Sequence, residues 1–166
     1  MRQRFLGILL LVLTGIICWQ MVFSQPVWAA IDSYVARYLK ATEPVPLEVD
    51  FQGRTQLFSA EDLSEGKQLF ERNCLSCHVG GTTLPDPTVP LSLAALKGAT
   101  PRRDTIGSLV AYLRQPMTYD GSEETPWCRR VPETWLSQKQ IENLAGFVLR
   151  AAQVAPGWGT ENFQGD

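Results

Sequence analysis

Cys74-Leu75-Ser76-Cys77-His78 is the stretch on which the reading of this chain turns. C-x-x-C-H is the attachment signature of a c-type haem. Two thiols add across the two vinyl groups of one porphyrin, and the two residues between them set the sulfurs at the right separation. The adjacent histidine then faces the iron as proximal ligand. His78 is the only histidine in the chain, so a sixth ligand on the iron is not an imidazole. Two rival chemistries share these residues. A thioredoxin-type C-x-x-C needs a strand before it and a helix after it, whereas this pair closes a helical stretch from Ala60 to Asn73. A Cys3His zinc site would draw on Cys74, Cys77, His78 and Cys128, but a histidine directly after the second cysteine is poor geometry for tetrahedral closure.

Upstream of the motif, Ser59 is placed to cap that helix, and Leu63, Gly66, Leu69 and Phe70 share one of its faces. Gly66 reads as a packing notch and Phe70 as a core aromatic, as expected where two helices cross closely. Leu47 to Phe51 and Thr55 to Phe58 alternate around Gln52-Gly53-Arg54 and predict a small β-hairpin. Ile31 to Ala41 predicts a short amphipathic helix, broken by Pro44 and Pro46. Downstream, Gly80-Gly81 and the prolines at 85, 87 and 90 predict a loop. A short helix is expected over Leu91 to Lys97, and a longer one over Thr105 to Gln115, capped by Asp104 and stopped by Pro116. A long loop then carries Thr118-Tyr119-Asp120-Gly121 and Pro126-Trp127-Cys128. Ser137 and Gln140 form a capping-box pattern that opens a last helix to about Gln153, with Leu144, Phe147, Val148 and Ala151 as its apolar stripe. Pro156 ends it, and a polar tail follows. The pattern predicts an all-α domain, with the hairpin as its only sheet and the haem at the end of the first main helix.

At the N-terminus, Met1-Arg2-Gln3-Arg4 is a basic n-region, Phe5 to Phe23 an apolar run, and Val27-Trp28-Ala29 a set of residues suited to signal peptidase. Residues 1–29 therefore read as a signal peptide, and residues 30–166 as one domain. The apolar run would also be long enough for an uncleaved anchor. Export suits the haem, because thioether attachment takes place on the far side of an energy-transducing membrane. Losing Arg2 and Arg4 leaves 13 basic residues against 17 acidic ones, a net charge of −4. That balance argues against nucleic acid and anionic membrane surfaces as partners. The mature cysteines are Cys74, Cys77 and Cys128. Haem uses two. The odd third points to an intermolecular disulfide between two copies, to a free thiol, or to the iron.

Several segments carry a wider likeness. Glu65-Gly66-Lys67-Gln68-Leu69-Phe70, Cys74 to Gly81, Pro101-Arg102-Arg103-Asp104, Leu109-Val110-Ala111-Tyr112-Leu113 and Thr118-Tyr119-Asp120-Gly121 resemble the extrinsic cytochrome c subunit of photosystem II, within the class I cytochromes c. The likeness spans nearly the whole mature chain. It implies an all-α, class I cytochrome c-like domain with a small N-terminal β-hairpin and one covalent haem c. It also implies a place in the thylakoid lumen of a cyanobacterium, and a lumenal redox protein or photosystem II lumenal subunits as partners. That family closes the haem with a second histidine shortly after T-Y-D-G. Here Cys128 stands at about that place, and the tail ends Asn162-Phe163-Gln164-Gly165-Asp166. The chain looks like a diverged second copy of that cytochrome.

These residues give His78 and Cys128 as the expected axial ligands. Met117, the only methionine of the mature chain, is the competitor, since methionine is the usual partner of histidine in electron-transfer cytochromes. Ferric iron strongly prefers thiolate, and Arg129 and Arg130 are expected to help keep the sulfur deprotonated. Thiolate ligation predicts a low-potential electron carrier. No enzyme is expected, since no distal histidine is available as an acid or base for peroxide cleavage. The alternatives are a ligand-responsive haem sensor or weak peroxidase with a labile sixth ligand, and a structural photosystem II subunit with little redox turnover.

Overall fold

The computed structural model describes residues 31–84 and 88–160; the expected signal segment, the prolines at 85 and 87 and the tail beyond Thr160 fall outside them. Helix α1 spans Ser33–Arg37, starting at the Asp32 carboxylate, which accepts from the backbone N–H groups of Tyr34 and Val35. It is shorter than the Ile31–Ala41 pattern implied. Lys40 takes a positive φ of 50°, which turns the chain so that Leu39 and Ala41 are buried outside the helix. Arg150 Nε donates to Leu39 O at 2.9 Å and ties this turn to the far end of the chain.

Strands β1, Val45–Glu48, and β2, Thr55–Phe58, pair antiparallel, with Val45 opposite Phe58 and Glu48 opposite Thr55. The first strand begins earlier than expected and takes in Pro46. Pro46 and Glu48 face outward while Val45 and Leu47 are buried, so a proline is accommodated on a two-stranded ribbon. The turn is fixed by Asp50 Oδ1, which accepts from Gln52 N at 2.9 Å and Arg54 N at 3.3 Å, with Gly53 at φ +80°.

Helix α2, Ala60–Asn73, has the predicted bounds. Ser59 Oγ accepts from Asp62 N while the Asp62 carboxylate accepts from Ser59 N, a reciprocal cap. Helix α3 is Leu93–Gly98, capped by Ser92. Helix α4 is Ile106–Arg114. Its cap is Thr105, exchanging hydrogen bonds with Ser108, and not Asp104. The Asp104 carboxylate is instead taken by Arg102, at 3.0 and 2.6 Å. Helix α5, Gln138–Val154, opens with the predicted Ser137–Gln140 cap.

The centre of the fold is the α2–α5 crossing. Gly66 lies so close to α5 that a Cβ there would stand 2.0 Å from Asn143 O. Asn143, fully buried, donates across the crossing to Glu65 Oε2 at 2.7 Å. Lys139 pairs with Asp62 at 2.7 Å between the same helices. Leu63, Leu69, Ile141, Leu144 and Leu149 fill the core around them, each contributing on the order of 1.5–3 kcal/mol by burial. Phe70, Phe147 and Trp158 form a triangle of rings with centroids 5.4 to 5.7 Å apart. No described helix is long and apolar enough to cross a membrane.

Candidate functional site

Cys74 ends α2, its N–H still bonded to Phe70 O at 2.8 Å. The chain then turns so tightly that the N–H groups of Cys77 and His78 both return to Cys74 O, at 3.0 and 2.9 Å. This turn gathers both thiols and the imidazole at one helix end. A short 3₁₀ turn follows at Val79–Gly81, with Gly80 at φ 58° and Gly81 at φ 79°, conformations open to glycine at little cost. A Cβ on Gly81 would meet the Trp158 ring at 2.5 Å. Trp158 Nε1 donates to Leu91 O, and Gly159 N donates to Gly80 O. The chain beyond α5 thus latches the loop that follows His78.

His78 is oriented by uncharged neighbours. Its Nδ1 lies 3.1 Å from Thr82 O and 3.0 Å from Thr83 Oγ1. The Thr83 hydroxyl gives its own proton to Val89 O, so it can only accept from the ring. Both partners therefore require a proton on Nδ1, which leaves the Nε2 lone pair for a metal. Burial pushes the His78 pKa down, opposed by the Thr82 hydrogen bond, and keeps the ring neutral as a ligand must be.

These groups open on a cavity of about 490 Å³, a volume within the range of cofactor pockets. Phe70, Leu96, Leu109, Leu113, Leu144 and Val148 give it apolar walls. Cys74, Cys77, His78, Met117 and Cys128 all line it. The structure thus brings the four predicted site residues together and brings the rival Met117 with them. Burial raises the Cys74 thiol to about 12, with Cys128 and Cys77 nearby adding to the effect. Burial raises Cys128 too, but a hydrogen bond with Tyr112 and the charge of Arg103 oppose it.

The cation acting on Cys128 is therefore Arg103, and not the predicted Arg129 and Arg130. Arg129 stacks over Trp135 at 5.7 Å, and Arg130 Nε donates to Arg114 O; both are exposed. Sequence reasoning missed Arg103 and Tyr112 as site residues, although both lie in segments that carried the likeness. Thr118 and Tyr119 of the T-Y-D-G segment line the cavity. Tyr119 Oη donates to Ala95 O at 3.0 Å, and Thr100 N donates to Tyr119 O at 2.8 Å. Asp120 accepts from the Thr118 hydroxyl and from Ser122 N and Oγ, which lowers its pKa to about 2, the Thr118 bond first. Gly121, at φ +75°, passes where a Cβ would meet Thr100 O at 2.3 Å.

A C-x-x-C-H motif at the end of one helix, crossed closely by a C-terminal helix and facing an apolar cavity, defines a c-type cytochrome of class I. The cytochrome c-550 domain family matches residues 36–165. A cytochrome c-550-like protein of Trichodesmium erythraeum is 58% identical over 153 residues, covering 91% of this chain and 93% of that protein. The photosystem II extrinsic protein V of Gloeobacter violaceus is 53% identical over 133 residues, covering 80% of this chain and 72% of that protein. The solved PsbV2 cytochrome from the cyanobacterium Thermosynechococcus elongatus superposes with a TM-score of 0.78 at 61% identity, covering 79% of this chain and 100% of that one. The chain belongs to the cytochrome c-550 family, with the fold read from its sequence: helices around a haem cavity and one small hairpin. Membership makes it a cytochrome with covalently bound haem c, an electron-transfer or structural protein and not an enzyme.

Proposed function

We propose that this protein is a monohaem cytochrome that carries electrons at low potential in the thylakoid lumen, in association with photosystem II or another lumenal redox protein. Cys74 and Cys77 hold the porphyrin as thioethers. His78 and Cys128 are the axial ligands. The bound haem supplies one-electron Fe(III)/Fe(II) chemistry. The observation that carries the reading is the convergence of both thiols, a preoriented His78 and Cys128 on one apolar cavity. A thiolate neutralises ferric iron and stabilises it over ferrous, so the potential lies well below that of a His/Met cytochrome. Placement in the lumen is supported by the signal-like N-terminus and by the photosystem II extrinsic protein V of Gloeobacter violaceus among the relatives.

The test is the ferric electron paramagnetic resonance spectrum of three proteins. The wild type should be low-spin with thiolate character, Cys128→Ser high-spin or water-ligated, and Met117→Leu indistinguishable from wild type. The reverse pattern for the two variants sinks the ligand assignment.

A second reading follows from the position of Cys128 on a loop between α4 and α5 rather than on a helix. A sulfur protonated on reduction would leave the iron and open a site for small ligands. Carbon monoxide binding to the reduced wild type marks that behaviour, and six-coordinate iron in both states excludes it. Co-purification with photosystem II tests the partner.

A further inference from the structure

Cys128 sits on a strap whose two ends are moored to one place. Upstream, Thr125 N donates to Pro116 O at 3.1 Å, Thr118 N donates to Glu123 O at 2.8 Å, and Met117 bridges antiparallel to Glu124. Downstream, Val131 N donates to Leu113 O at 2.9 Å, and Arg130 Nε donates to Arg114 O at 2.9 Å. Residues 126–129 run between these moorings. Both sets fall on residues 113–118, at and just beyond the end of α4, and the downstream set uses carbonyls that a helix end leaves unpaired. Arg114, the last residue of α4, reaches further along the chain. Its Nη1 donates to Val131 O at 2.9 Å and to Leu136 O at 3.0 Å. Val131 and Leu136 are buried, so their carbonyls have little water to turn to. Among the described residues Arg114 has no carboxylate partner, and its Nη2 is buried without an acceptor. An unbranched apolar side chain would fill the same space without the desolvation of a cation. What the arginine adds is its two bonds.

We propose that Arg114 is a positioning residue for the sixth ligand: by holding the carbonyls of Val131 and Leu136 it fixes the downstream end of the Cys128 strap to α4 and keeps the sulfur at the iron against competing ligands. The inference rests on the ligand assignment made above. A strap moored at both ends has little freedom left to lose when its sulfur binds, because the fold has already ordered it. With the downstream end released, residues 126–129 would swing, and the sulfur would give up that freedom at each return. The mooring thus raises the effective concentration of the sulfur at the sixth position. Charge-assisted bonds suit this task, being shorter and stronger than bonds between neutral groups. Methionine in place of the arginine would keep an apolar stem and lose both bonds.

The experiment titrates the ferric holoprotein with imidazole, which competes for the sixth position, and follows the visible spectrum. It compares wild type, Arg114→Met, Arg114→Lys, Cys128→Ser and the Arg114→Met/Cys128→Ser pair. Arg114→Met should bind imidazole about tenfold more tightly than wild type, the loss expected of hydrogen bonds from a charged group. Arg114→Lys, which keeps a cation and a donor, should fall between the two. In the Cys128→Ser background Arg114→Met should leave the imidazole affinity in place, because no sulfur remains to be displaced. An unmoved affinity in Arg114→Met, or in Arg114→Lys should Arg114→Met fail to fold, overturns the role. An equal gain in both backgrounds overturns it too and makes Arg114 a packing residue. A ferric spectrum unchanged by Cys128→Ser overturns the ligand assignment and this inference with it. A changed Cys128→Ser spectrum beside silent Arg114 variants overturns only the inference.

Discussion

His78 receives its orientation from a carbonyl and a hydroxyl rather than from a carboxylate. These partners fix the proton on Nδ1, while burial is what disfavours the charged ring. The attachment chemistry next to it gives the simplest prediction. Cys74→Ala with Cys77→Ala should yield apoprotein, or haem that acidified organic solvent extracts, whereas wild-type haem stays with the chain. Wild-type protein carrying zinc and lacking a Soret band would refute the haem reading altogether. That Cys74, Cys77 and His78 would meet was legible because their spacing puts them on one turn. That Cys128 would join them at the cavity was legible by a different route, from an odd thiol in a chain with one histidine. Arg103 and Tyr112 were not, because an arginine and a tyrosine at these positions look like any solvated cation and core ring until Met117, Thr118 and Cys128 are folded back onto them. Arg129 and Arg130 misled for the same reason: proximity in sequence to a sulfur is not proximity in space.

Among the elements, capping chemistry set the helix starts well. Ser59, Thr105 and Ser137 each exchange two hydrogen bonds with the residue three positions on. Asp104 looked equally suited and is diverted by its neighbour Arg102, a contest that propensity alone does not resolve. The bounds of β1 were missed because Asp50 holds a wider turn than the Gln52-Gly53-Arg54 signal implied. At the α2–α5 crossing, Gly66→Ala would drive a methyl into the Asn143 carbonyl. Overpacking of this kind costs about 1–3 kcal/mol, so thermal unfolding should show a midpoint lower by several degrees. An unchanged midpoint would mean that the helices separate freely there. The T-Y-D-G turn gives a pH prediction. Asp120 is held at about 2, below its ordinary value of 3.8. Its contribution is fully present above pH 3.8 and is lost as pH falls through about 2. The Soret and near-ultraviolet circular dichroism of the wild type should therefore withstand pH 4 better than those of Asp120→Asn. Equal acid sensitivity of the two proteins would dissociate the turn from the pocket.

For the molecule as a whole, the domain expectation is a mature protein beginning near Ala30 and carrying one haem. Intact-mass measurement of the exported protein should give residues 30–166 plus one haem; a retained leader or a second haem would overturn that organisation. The all-α class was legible because the apolar stripes of α2, α4 and α5 follow helical spacing and the hairpin is the only alternating stretch. The role of Trp158 was not, since a tryptophan beyond Pro156 carries no periodic signal.

That tryptophan has a consequence for how the protein is made. Trp158 and Gly159 fasten the loop after His78, yet they lie some eighty residues downstream of it. A chain translocated from its N-terminus delivers the attachment motif first and the fastening last. Were the porphyrin joined while the chain was still arriving, the loop after His78 would receive it before Trp158 and Gly159 came to fasten that loop, and the latch of the finished fold would close behind attachment.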